Sequence, residues 1–75
     1  MKDDQRIALT KRLLREGLLR LLSKTDLNKI SVTQLCIESG INRATFYRHY
    51  EEPRDILNDI KYEIFQEVAA FAEKA

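Results

Sequence analysis

"SVTQLCIESGINRATFYRHY", residues 31–50, reads as two short helices joined by a tight turn. Ser31 followed three residues later by Gln34 is a capping box, in which the Ser31 hydroxyl accepts from the N–H of Gln34. A helix over about 32–39 then turns Val32, Leu35, Cys36 and Ser39 inward. Gly40 ends it, because the left-handed residue that closes a helix costs least as glycine. Asn42 caps the next helix, about 43–50. On that helix Phe46 and Tyr50, four residues apart, share the inner face. Helix, three-residue turn starting with glycine, helix: this is the helix-turn-helix arrangement.

The flanking sequence supplies two longer helices and no alternating strand pattern. Over residues 6–23, Ile7, Leu14, Leu18, Leu21 and Leu22 fall on one side at helical spacing, and Lys11 has to snorkel past that stripe. "SKTDLNK" breaks the pattern with turn-forming residues. Pro53 suits the first turn of a fourth helix, about 53–72, with Asp55 near its positive end. Ile56, Leu57, Ile60, Ile64, Val68 and Phe71 form the expected inner stripe of that helix. Tyr62 and Phe65 lie off the stripe and are read as facing a further domain. The expected fold is all-α, a three-helix DNA-binding domain with the helix-turn-helix at about 31–50, plus a longer fourth helix, all within residues 1–75.

The outer face of residues 43–50 carries the chemistry. Ala44, Thr45 and Arg48 lie opposite Phe46 and Tyr50, with Arg43 and Tyr47 along one edge and His49 along the other. Arginine holds guanine O6 and N7 bidentately, threonine bonds a base edge or meets a thymine methyl, and a small alanine lets the helix sit close. Tyr47 and His49 can reach phosphates. The rings thus anchor the helix while the basic and hydroxyl groups face DNA. Two residues keep a plainer alternative at this stage. His49 alone can be a packed, hydrogen-bonded histidine, and Thr33 can serve only the start of its own helix.

Charge agrees with an anionic partner on one side. Residues 1–50 hold ten Lys and Arg against five Asp and Glu, a balance of +5, and residues 51–75 hold three against seven, a balance of −4. Lys11, Arg12, Arg15 and Arg20 are read as a solvated cluster, with the N-terminal arm touching phosphates. Other classes are disfavoured. Seventy-five residues make one domain. A lone cysteine, Cys36, forms no internal disulfide and fills a small buried slot, and one Cys with one His makes no four-ligand zinc site. No apolar run approaches the roughly 20 residues that span a bilayer, so no membrane partner and a cytoplasmic setting are expected. With no nucleophile–base pair, phosphate loop or metal set, the chain is expected to be no enzyme and to need no cofactor.

"SVTQLCIESGINRATFYRHYEEPRDIL", with "ALTKRLLREGLLRLLSK" upstream, resembles the N-terminal DNA-binding domain of TetR-type bacterial transcriptional regulators. The capped "SVTQL" helix, the "SGIN" turn and "TFYRHY" followed by "DIL" carry the resemblance, which covers about residues 6–60. It implies a homodimer in the full-length protein that binds a palindromic operator on double-stranded DNA and usually represses. It also implies a C-terminal helical domain, absent here, that dimerises and takes a small-molecule inducer; the chain is expected to be a fragment of a longer regulator, the alternative being an unusual head-only protein. The DNA contacts it implies come from Ser31, Thr33, Arg43, Ala44, Thr45, Tyr47, Arg48 and His49. One departure is Pro53, where many members place a phosphate-gripping lysine; Arg54 is the nearest substitute. The competing expectation is a small helical protein-interaction module that docks through the fourth helix.

Overall fold

The computed structural model describes residues 2–74, which fold into four α-helices and, among the described residues, no strand. They are α1 (Lys2–Leu22), α2 (Val32–Ser39), α3 (Arg43–His49) and α4 (Pro53–Lys74), with a single 3-10 turn, Leu27–Lys29, between α1 and α2. The local signals work as expected around α2 and α3. Ser31 Oγ accepts from Gln34 N at 3.0 Å, and Asn42 Oδ1 accepts from Thr45 N at 2.8 Å. Gly40 is left-handed at φ 72° and is the one described residue with positive φ, so a side chain there would be strained.

α1 packs against α2 and α4, and α2 against α3. Leu14, Leu18 and Leu21 from α1 meet Leu35, Cys36, Phe46, Tyr50 and Ile56, with Ile30 closing the core after the 3-10 turn. Leu14, Leu18, Leu35, Phe46 and Ile56 are sealed from solvent, each burial of this kind contributing roughly 1.5–3 kcal/mol relative to exposure. Gly17 lets α1 approach α2 closely. A Cβ built on it would lie 2.9 Å from Ser39 Cβ and 3.3 Å from the Ser39 backbone.

Three expectations need correction. Ile7 belongs to the apolar stripe of α1 by spacing, yet it is exposed, because residues 4–9 of α1 lie beyond the cover of the other helices. Arg15 and Arg20 are not merely solvated. Arg15 pairs through both terminal nitrogens with the Glu63 carboxylate, and Arg20 Nε donates to Glu38 Oε1 at 2.9 Å. The third concerns α4. Ile56 is buried and Leu57 and Ile60 are partly buried, but Ile64, Val68 and Phe71 face solvent because no described element lies opposite them. Tyr62 and Phe65 are exposed as well. The Cα radius of gyration, 13.8 Å, exceeds the roughly 11 Å of a compact chain of this length, since the far half of α4 projects from the head.

Candidate nucleic-acid interface

α3 is fastened from beneath by its rings. Phe46 stacks edge-on with Tyr47 at 5.3 Å and tilted with Tyr50 at 5.9 Å between centroids. The Tyr50 hydroxyl donates to Asp59 Oδ2 at 2.7 Å, which ties the end of α3 to α4. Burial first, and then this hydrogen bond to a carboxylate, push the Tyr50 phenol well above its ordinary range. The Lys11 ammonium sits 5.8 Å from the Tyr50 ring centroid, so the stripe-crossing lysine of α1 ends as a cation–π contact. Asp55 Oδ2 accepts from the N–H groups of Glu51 and Glu52 at 2.9 and 3.0 Å, which sets the angle at which α4 leaves α3.

With Phe46 and Tyr50 inward, the opposite side of α3 is open. Arg43, Ala44 and Arg48 are exposed, Tyr47 is half-exposed, and Thr45 and His49 are partly covered. The expected outward set therefore shares one surface, with Thr45 and His49 on the side nearer α1. Ser31 and Thr33, at the start of α2, are also exposed. The Ser31 oxygen is engaged as a cap acceptor, and its O–H proton remains available to donate. Arg43 lies 5.9 Å from the Tyr47 ring centroid, an arrangement that holds its guanidinium over the ring on the same face.

The pairing of the arginines separates this face from the rest of the surface. Arg12 pairs with Glu16, Arg15 with Glu63, Arg20 with Glu38 and Arg54 with Glu52. Arg43 and Arg48 pair with no carboxylate among the described residues, and neither does Arg6. Arg54 also donates to Asn28 Oδ1 at 3.2 Å, which ties it to the turn between α1 and α2. Two residues with no local sequence signal join the site through the fold. Arg6 and Thr10 of α1, with Ile7, line a surface concavity of about 520 Å³ whose other wall is Thr45, Arg48 and His49.

Cys36 is buried beneath α3, and desolvation raises its thiol pKa despite the nearby positive charge of Arg43. It is a packing residue in this arrangement. No described helix is long and apolar enough to cross a membrane. In comparisons with protein-family models, curated proteins and solved structures, nothing matches the chain.

Proposed function

We propose that the chain is the sequence-specific DNA-binding head of a TetR-type transcriptional regulator, a repressor, with α3 entering the major groove. The observation that carries the reading is the pair of arginines, Arg43 and Arg48, exposed on a helix pinned by Phe46 and Tyr50 and free of carboxylate partners among the described residues. An arginine destined for a solvated surface loses little by pairing with a neighbouring glutamate, as Arg12 does. One destined for guanine or phosphate must keep its fork of donors open. Ser31 and Thr33 from α2 add phosphate contacts that fix register. The resemblance of residues 6–60 to the family adds the rest of the proposal. In a longer protein two heads bind a palindromic operator as a homodimer, and a small-molecule inducer acts through a domain beyond these residues.

Selection from a random duplex pool at low salt, followed by titration of Arg43→Ala and Arg48→Ala, tests this. Each substitution is expected to weaken binding to the selected sequence by about 1–3 kcal/mol and to relax preference at one base pair. Melting temperatures stay at the parent value, because both side chains are exposed. A pool that yields no preferred sequence, or variants that bind like the parent, would sink the reading. The second reading, a module that docks a protein partner through α4, draws on Tyr62, Ile64, Phe65, Val68 and Phe71, all exposed on one element. It expects both arginine variants to leave partner binding intact.

A further inference from the structure

The concavity between α1 and α3 differs from three other surface hollows in its charge. The hollow at the end of α3 includes Glu51, Asp55 and Asp59, one along α1 includes Asp4 and Glu63, and one near α4 includes Glu52. The α1–α3 hollow is lined by Arg6, Ile7, Thr10, Thr45, Arg48 and His49, with no carboxylate. Its two walls are matched stripes. Arg6 and Thr10 are four apart on α1, and Thr45, Arg48 and His49 are three and four apart on α3, so each set points one way from its helix. Two guanidinium groups, two hydroxyls and an imidazole thus converge on about 520 Å³ of open space. Neither Arg6 nor Arg48 has a carboxylate partner among the described residues. The chemistry suits a phosphodiester.

Resting on the reading of α3 as a groove-entering helix, we propose that this slot seats the DNA backbone and that Arg6 and Thr10 are its outer clamp. A helix with side chains is about 10–12 Å across and the major groove about 12 Å wide, so the strands bordering the groove run along the edges of the inserted helix. The edge carrying Thr45 and His49 meets one such strand, and α1 stands on the far side of it. Arg48 then serves at the boundary of base and backbone, while Arg6 contacts phosphate alone. That division makes Arg6 a residue for affinity and register, and Arg43 one for sequence.

Titration of the parent chain, Arg6→Ala, Arg6→Lys and Thr10→Val with the selected and a scrambled duplex, over a series of salt concentrations, tests the clamp. Arg6→Ala is expected to weaken both duplexes by a similar factor and to lower the salt slope by about 0.9. The deficit therefore shrinks by about threefold between 50 and 200 mM salt. Arg6→Lys recovers most of the loss, and Thr10→Val gives a smaller loss of the same kind. Failure of the parent to bind either duplex would overturn the underlying reading of α3. A parent that binds while Arg6→Ala matches it in affinity and slope would overturn the clamp alone. Inorganic phosphate supplies the control for a free-anion site. Saturable amide shifts at Thr45 and His49 with phosphate, together with unchanged DNA binding by Arg6→Ala, would likewise overturn a backbone clamp.

Discussion

Gly17 shows how one side chain, or its absence, decides how closely α2 sits against α1. In an exposed helix interior, replacing glycine by alanine gains up to about 1 kcal/mol. Here the new methyl would arrive 2.9 Å from Ser39 Cβ, with the Ser39 backbone close behind, and none of those atoms is the loose end of a flexible chain. Overpacking of this kind costs about 1–3 kcal/mol, so Gly17→Ala is expected to be net destabilising despite its better helix propensity. A net loss of about 1 kcal/mol lowers the melting temperature by about 4–8 °C in a domain of this size. Thermal unfolding followed by circular dichroism checks it, and a higher melting temperature would mean that α1 and α2 have room to separate. Nothing in the local sequence marks this glycine, because its neighbour lies 22 positions away in α2. Phe46 is the opposite case. Its inward direction is legible from its spacing to Tyr50 alone, and the structure seals it completely.

The helices divide the same way between local and distant causes. The bounds of α2 are as expected because Ser31, Gly40 and Asn42 act within three or four residues of themselves. α1 begins at Lys2, although the apolar stripe starts only at about residue 6, since no breaker separates the charged first turn from that stripe. The 3-10 turn Leu27–Lys29 has no signal of its own inside a stretch rich in turn formers, although it brings Ile30 into the core. Periodicity identified the apolar face of α4, but what covers a face is a tertiary matter, and for Ile64 and Val68 no described element does. The candidate site divides alike. Its α3 residues could be read from a helical wheel, whereas Arg6 and Thr10 join them only because α1 crosses beside α3. A short helix depends on its cap, and α3 has only seven residues. Asn42→Ala, which removes the bond to Thr45 N, is expected to cost about 1 kcal/mol and to weaken the proposed DNA binding along with stability. Asn42→Asp keeps an acceptor at the same position and is expected to restore the fold. Parallel chemical-denaturation and duplex titrations of the two variants check this. Equal stability for Asn42→Ala and the parent would mean that packing alone holds α3.

α4 joins two regimes in one continuous helix, and its last anchor is electrostatic. Ile56 is buried, Leu57 and Ile60 are partly covered, Asp59 accepts from Tyr50, and Glu63 pairs with Arg15 from α1. Past that pair every described residue is exposed, and the one side-chain bond in the far half, Gln66 Nε2 to Tyr62 Oη at 2.9 Å, is internal to the helix. Isolated helices shorter than about 12–15 residues are marginal in water, so the far half persists as an extension of the anchored half. Hydrogen exchange is expected to show amides near Ile56 and Ile60 opening only with the global transition, and those near the end of α4 opening at almost no cost. Glu63→Gln is expected to move that boundary towards Ile60 while leaving the melting of the head unchanged. Acid does the same for a reason whose direction can be worked out. The hydrogen bond from Arg15 holds the Glu63 carboxyl below its ordinary pKa. A carboxylate depressed in the folded chain supports the fold fully above its unfolded pKa, near 4.3, and loses that support as pH falls through the depressed value. Protection around Glu63 therefore survives mild acid and fades below the ordinary carboxylate range in the parent, whereas Glu63→Gln shows no such step. Uniform protection from Arg54 to Glu73 would instead mean that the exposed face of α4 is covered in solution. That result would turn attention from the outer face of α3 to whatever covers Phe65 and Phe71.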